Sequence, residues 1–354
     1  MKKQFVFIAI LVLAIILVGC NATQGVGSDK NQEIAIASNS VLSPISEYFP
    51  FLENTLFEYE GIGNEYAEQI TFYEFIEGNK AQVKVDNPGT NIIKVLELKD
   101  GALSEIYMEG EFYHIENMLN AKANKQEIIL MEPLELGNTW ATLDGHEKEI
   151  TGIDVLIDTP YKSFNALEVT TSFDEGRQQK EYYAKGVGLV ARIYNDGEYE
   201  VKTMLKDLKE TELEQNIELF YPLKDNSQTV YVQDTIAYTT NSNIEKLIED
   251  KLKNPIEDQL TQVLPDNVSL NSLNLDRSEW VLKVDLSDNF LSELNAGSSY
   301  EYEILRSLVN TLGKFFDTEE VYISIAGRPY ESGHLQLSEG EFFKVNLEDI
   351  KEYK

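Results

Sequence analysis

Hydrophobic residues along this 354-residue chain fall into four successive patterns. The first is continuous: fourteen apolar residues run from Phe5 to Val18 behind Met1, Lys2 and Lys3. At 1.5 Å per residue such a helix reaches about 21 Å, short of the roughly 30 Å hydrocarbon core of a bilayer. The run therefore predicts the apolar part of a signal peptide over residues 1–19 rather than a membrane span. Residues 20–46 follow, rich in Asn, Gln, Ser, Ala and Gly without a sustained period, and predict a flexible tether with a reach of roughly 25–30 Å. The apolar segment Ser46-Glu47-Tyr48-Phe49-Pro50-Phe51 is placed to dock that tether onto the first sheet.

From residue 47 to 209 the period is two. Ala81, Val83 and Val85, then Val95 and Leu96, then Ala166, Leu167 and Val169 belong to short β-runs. Asp100-Gly101, Asp144-Gly145 and Asp196-Gly197 tolerate the positive φ of two-residue hairpins and punctuate these runs. This stretch predicts about ten strands in an antiparallel meander, a curved sheet, with only Glu116 to Lys125 helical or irregular. Residues 210–348 mix periods. Strands are predicted at Ile217 to Phe220, Thr229 to Tyr238, Val268 to Leu275, Trp280 to Leu286 and Val321 to Ile325. Ser242 with Glu245 reads as a capping box for a helix bearing Ile244, Leu247, Ile248 and Leu252. Ser298 with Glu301 caps a second, whose stripe is Leu305, Leu308, Val309, Leu312 and Phe316. The predicted fold class is α+β: an N-terminal antiparallel β-meander domain, then a C-terminal β-α-β-β-α-β sandwich with helices on one face of a sheet.

The cleavage region Leu17-Val18-Gly19-Cys20 resembles the lipobox of bacterial lipoproteins. That resemblance implies diacylation of the Cys20 sulfur and cleavage before it, so that Cys20 becomes the first mature residue. Cys20 is the only cysteine, so no intramolecular disulfide forms and the body relies on packed cores. Stable anchoring takes two acyl signals, and a diacylated Cys20 supplies both. With 61 acidic against 30 basic residues the net charge is −31, and loss of Lys2 and Lys3 makes the remainder more acidic still. Such a body is repelled by nucleic acid and by anionic headgroups, so the lipid must do the membrane binding. The expected location is the extracytoplasmic face of the cell membrane.

The last third resembles a GerMN domain, the module of bacterial spore-germination lipoproteins. The residues that carry the likeness are Leu219-Phe220-Tyr221-Pro222, Asn254-Pro255, Leu264-Pro265-Asp266, Val284 to Phe290, Gly297-Ser298, Leu308 to Leu312, Val321-Tyr322-Ile323 with Gly327, and His334. The resemblance implies a non-enzymatic envelope module, similar in fold to ring-building domains of sporulation complexes, that works by packing on other envelope proteins as a homo- or hetero-oligomer. Asn254-Pro255 stands where the family usually has Gly-Pro, and only one copy is found where germination lipoproteins carry two, which puts ring formation in doubt. The N-terminal region, with Trp140 and Tyr182 to Val190, is weakly similar to β-rich lipoprotein ectodomains.

The three histidines and the carboxylates form no catalytic or metal-binding pattern, and no catalytic, metal or cofactor site is expected. His146-Glu147 lacks a second histidine at Ile150 to complete a zincin helix. His114 lies in a strand and reads as a core or solvated side chain, and His334 as a loop residue. Gly186-Val187-Gly188 lacks the third glycine of a dinucleotide loop and reads as a tight connection. Asp285 and Asp288 lack the alternating oxygens of a calcium loop. The 19 Tyr and 16 Phe fall mostly at alternating strand positions, as core packing requires. The same aromatics motivate one alternative, a carrier or sensor holding a lipid or small apolar ligand in the curved sheet.

Overall fold

The computed structural model describes residues 44–225, 228–338 and 340–354. Alternating stretches fold as β1 (Thr55–Ile62), β2 (Gln69–Glu77), β3 (Lys80–Asn87), β4 (Thr90–Lys99), β5 (Ala102–Gly110) and β6 (Glu127–Met131), then β7 (Thr139–Ala141), β8 (Glu147–Asp158), β9 (Ser163–Ser172), β10 (Gln178–Ala184), β11 (Gly188–Asn195) and β12 (Glu200–Glu210). They form one antiparallel sheet of twelve strands, ordered β6-β5-β4-β3-β2-β1-β12-β11-β10-β9-β8-β7. The count exceeds the ten expected because β6 is a run of apolar residues without alternation and β7 spans only three residues. Sequence neighbours pair throughout except at the centre, where β1 meets β12 from Thr55↔Glu210 to Ile62↔Lys202.

Bulges at Glu58/Tyr59, Tyr73/Phe75, Val95/Leu96 and Tyr182/Tyr183 add local twist and bend the sheet. The two edge strands approach each other: the Trp140 indole donates to the Ile128 carbonyl at 3.2 Å, and the Asn138 amide to the Met131 carbonyl at 2.9 Å. The sheet thus curls around an interior. A short helix, α1 (Pro44–Tyr48), lies against that interior with Ile45 and Tyr48 buried, held by the Gly186 amide on the Glu47 carbonyl at 2.7 Å. Phe49 follows onto Tyr183 and Phe51 onto Tyr73, with ring centroids 6.0 and 5.9 Å apart. The apolar segment ahead of the first strand is therefore docked on the sheet. The β5–β6 connection is irregular, and its Phe112, Ile115, Met118 and Leu119 are buried.

The C-terminal region contains β13 (Leu213–Pro222), β14 (Thr229–Tyr238), α2 (Ile244–Lys253), β15 (Leu270–Asp276), β16 (Val281–Leu286), α3 (Phe290–Leu294), α4 (Ser298–Phe315) and β17 (Glu320–Ile325). One sheet was expected here and two are found. The β13–β14 hairpin stands apart, its free edge taken in parallel by Lys351–Glu352, while β15, β16 and β17, with the two-residue strands Arg328–Pro329 and Phe343–Lys344 on β17, form the other, β16 and β17 running parallel across the α4 crossover. A hairpin whose outer edge is occupied has no ladder left to offer its neighbour there.

Both predicted helix caps are corrected. Asn243, not Ser242, caps α2, accepting the Lys246 amide at 2.6 Å, while the Ser242 hydroxyl turns back to the Thr239 amide. Gly297 precedes α4 without a side-chain cap, and Glu301 is buried as the acceptor of the Tyr330 hydroxyl at 2.6 Å. Trp280, predicted to open a strand, lies just outside it, since β16 begins at Val281. Its φ of 57° lies outside strand geometry, it is 45% exposed, and its indole donates to the Asp317 carbonyl at 2.7 Å.

The outer face of β1 to β5 contributes Leu56, Phe72, Ile93, Val95 and Tyr107 to the same hydrophobic cluster as α2, α4 and β13 to β17. Polar bonds stitch this junction. Glu74 of β2, fully buried, accepts from the Gln82 amide at 2.8 Å and the Tyr238 hydroxyl at 2.9 Å. Arg277 reaches Glu109 and Glu116, each at 2.9 Å. His114 is buried between Phe112 and Phe316, with ring centroids 4.1 and 4.9 Å away.

Candidate functional site

Strand alternation sends every second side chain of a curled sheet inward, and here those side chains leave a cavity of about 390 Å³. Aromatic rings line one part of it: Phe49, Phe57, Tyr59, Tyr73 and Tyr183. Phe57 stacks on Tyr59 at 6.5 Å and meets Tyr73 edge-on at 6.2 Å. Burial raises the phenols of Tyr59, Tyr73 and Tyr183 above their ordinary values, so all three stay neutral. At another part of the lining His146 packs edge-on against Phe173, centroids 4.9 Å apart, on the loop that also carries Thr142, Leu143 and Asp144.

Charged side chains share this lining. Glu181 of β10 is 4% exposed and lies between Lys148 of β8 at 3.4 Å and Arg192 of β11 at 2.9 Å, with the Tyr183 hydroxyl donating at 3.1 Å. Burial alone would raise its carboxyl, but the two cations and the hydrogen bonds from Arg192 and Tyr183 outweigh it and hold the group down at about 2. Glu105 of β5 sits between Lys94 at 3.0 Å and Lys125 at 2.6 Å. Its carboxyl is likewise lowered, burial again opposing and the lysines prevailing. Glu127 of β6 approaches Lys148 at 3.8 Å. A lipid tail laid against these ions would strip their remaining hydration without replacing it. The cavity therefore differs from the purely apolar pocket that the aromatic content suggested.

None of the cavity's ions was singled out in the sequence. Lys148 lies between Glu147 and Glu149, Glu181 follows Lys180, and Arg192 is a lone charge in β11, where each reads as solvent-facing. Gln179, Glu181 and Tyr183 alternate into the cavity, but a polar side chain at an alternating strand position gives no sign of which face closes inward. Leu17, Val18, Gly19 and Cys20, the predicted cleavage and lipidation residues, lie outside the described residues. Asp285 accepts from Asn271 at 2.9 Å, the Ser324 hydroxyl at 2.6 Å and the Gly327 amide at 2.7 Å, a loop-holding role. Among the described residues no group of three or more His, Cys, Asp or Glu is arranged to hold a metal, and no helix is long and apolar enough to cross a membrane.

Residues 218–331 match the family model described as Germane: sporulation and spore germination. A search of curated proteins gave no match. Among solved structures, the tandem GerMN domains of the sporulation protein GerM from Bacillus subtilis are similar at 18% identity and a TM-score of 0.27, over 36% of this chain and 45% of that one. This chain thus spans less than half of that protein. The first GerMN domain of the same protein, taken alone, is similar at 19% identity and a TM-score of 0.27, over 38% of this chain and 98% of that one. A protein with a YmcC-like fold from Bacteroides fragilis is similar at 12% identity and a TM-score of 0.30, over 46% of this chain and 98% of that one. The C-terminal region of this chain, residues 218–331, is a Germane (GerMN-related) domain, carried beside a curled β-sheet that the family model does not cover.

Proposed function

We propose that this chain is an extracytoplasmic lipoprotein, anchored in the cell membrane through acylated Cys20, whose Germane domain joins other envelope proteins during sporulation or spore germination without catalysing a reaction. The observation that carries the reading is the Germane match at residues 218–331. The apolar leader with Leu17-Val18-Gly19-Cys20 behind it supports the anchor. In this arrangement residues 1–19 are removed, residues 20–46 hold the body off the bilayer, residues 47–209 form the β-rich domain and residues 210–348 the assembling one.

The junction of the two regions favours an assembling role over a freely swinging one. Glu74, Tyr238, Arg277 and Glu116 tie the sheet to the Germane domain by buried and half-buried polar bonds, so a partner bound to one region is held in fixed orientation to the other. Crosslinking in intact cells through growth and sporulation, followed by recovery of the tagged chain, tests the proposal. A crosslinked envelope complex is expected at one of those stages, and recovery of a solitary monomer at every stage overturns it. Mass spectrometry of the native protein tests the anchor separately, with a diacylated Cys20 at the mature N-terminus as the expected species.

A further inference from the structure

The inner face of the curled sheet carries more hydrogen-bond donors than its own acceptors engage. Lys148 is 7% exposed, yet its nearest carboxylate oxygens lie at 3.4 and 3.8 Å, longer than the roughly 2.7–2.9 Å of a well-formed charged bond. Arg192 gives only Nε to Glu181, so among the described residues its two terminal nitrogens have no protein acceptor. Thr171 is 2% exposed and its hydroxyl has no hydrogen-bond partner among the described residues. These groups are neighbours by register. Thr171 of β9 stands opposite Lys148 on β8 and opposite Gln179 on β10, and all three line the cavity.

The buried carboxylates, by contrast, are ion-paired. Glu181 is held by Lys148, Arg192 and Tyr183, and Glu105 by Lys94 and Lys125. A molecule entering here meets free donors and ion-paired carboxylates, so it must itself accept. The lining also carries four cations, Lys94, Lys125, Lys148 and Arg192, against four carboxylates, Glu105, Glu127, Asp144 and Glu181. In a chain with two acids for each base, this lining is locally balanced.

We infer that the cavity is a binding site for a small ring-bearing oxyanion, a carboxylate, phosphate ester or sulfate ester, whose charged end lies among Lys148, Thr171, Gln179 and Arg192 and whose ring lies against Phe57, Tyr59 and Tyr73. The size agrees: about 390 Å³ is at the small end of the roughly 300–1,000 Å³ of ligand pockets, which suits a single small molecule and not a long acyl chain. Aromatic walls provide stacking for a flat body, and an unpaired buried hydroxyl beside an under-bonded ammonium supplies orientation. The inference goes beyond the anchoring and assembly reading and does not depend on it.

Calorimetric titration of the full chain in non-ionic detergent with phenyl phosphate, phenyl sulfate and benzoate, against neutral benzyl alcohol, tests it. Saturable one-to-one binding of at least one anion is expected, and which anion binds best separates phosphate, sulfate and carboxylate sources. Lys148→Gln should weaken that binding about tenfold or more, as loss of a charged hydrogen bond does. Thr171→Val, which removes one hydroxyl at nearly constant shape, should weaken it several-fold without lowering the melting temperature, so the test survives if Lys148→Gln folds poorly. Lys283→Gln, on an exposed pair with Asp276 outside the cavity, should leave binding unchanged. Equal binding of benzyl alcohol, anion binding indifferent to Thr171→Val, or no saturable binding of any of the three anions at millimolar concentration overturns the inference.

Discussion

Under α4, Leu305, Leu308, Val309 and Leu312 share a cluster with Leu282, Val321 and Ile323, and all are buried. Inside the curled sheet Tyr59, Tyr73 and Tyr183 share their space with Lys148, Glu181 and Arg192 around a cavity. The first region removes apolar surface from water, worth about 25 cal/mol per Å², and Glu301, Asn310 and Thr311, polar groups that α4 buries with it, are hydrogen-bonded. The second keeps charges where water is scarce, and each charge needs a partner to offset its desolvation. Under α4 apolar side chains pack on one another, whereas in the sheet interior polar groups face a cavity. One chain therefore carries an apolar core and a polar cavity side by side, joined through the outer face of β1 to β5.

The comparison breaks most sharply if the Germane core tolerates a void. Leu308 is fully buried, so Leu308→Ala should cost about 3–4 kcal/mol, the transfer loss plus an unfilled cavity. Denaturant unfolding of the full chain measures it. A loss under about 1 kcal/mol would mean that this core repacks freely, and the contrast with the sheet interior would fail.

Acid should strike the sheet interior by a different route. Glu181 is depressed to about 2 in the fold from an ordinary 4.5, so its contribution is complete above about pH 4.5 and is lost as pH falls towards about 2. At about 1.4 kcal/mol per unit the difference is roughly 3 kcal/mol, an order of magnitude for so tightly coupled a cluster. Glu181→Gln should be less stable than the parent at pH 7, with the gap narrowing by pH 3. Thermal melts across that range check it, and a gap that widens on acidification would reverse the assignment of Lys148 and Arg192 as its stabilising partners.

Between the two regions, Tyr238→Phe removes the hydroxyl bonded to Glu74 at 2.9 Å and leaves that buried carboxylate with Gln82 at 2.8 Å and Lys84 at 3.6 Å. A loss of about 1–2 kcal/mol is expected, with a single unfolding transition retained because the apolar junction is untouched. Two separated transitions in this variant would show that the polar bonds, and not the shared core, couple the regions.

The contrast also tracks what the sequence made legible. In the Germane region the stripe Leu305, Leu308, Val309, Leu312 and Phe316 has helical spacing and is buried as that spacing demands, because one face of an isolated helix decides its own burial. The β-runs of residues 47–209 were legible as strands, since alternation is local too. Pairing of β1 with β12 was not, because residues about 150 apart in sequence carry no local mark of each other. The cavity's charges were invisible for a related reason. Only closure of the sheet turns the faces of β8, β10 and β11 into an interior, so Lys148, Glu181 and Arg192 look like surface residues until that closure is known. Trp280 failed differently: its left-handed backbone breaks the alternation one residue before β16 begins.

The smallest expected effect is the most discriminating. Thr171 presents a buried hydroxyl without a partner among the described residues, next to Lys148 across the β8–β9 ladder. In a packed interior an unsatisfied hydroxyl is a penalty, and replacing it by an apolar group of the same shape is neutral or favourable. Thr171→Val should therefore leave stability unchanged or raise it by up to about 1 kcal/mol, read as a small upward shift of the melting midpoint at pH 7. Under the same conditions Thr170→Val, whose hydroxyl lies 2.6 Å from that of Thr151 on the opposite face of β9, should cost about 1 kcal/mol. Adjacent threonines on one strand then give opposite signs, one serving the fold and the other the space inside it. If both substitutions cost the same, the Thr171 hydroxyl is supporting the sheet like any other, and the sheet interior is an ordinary core after all.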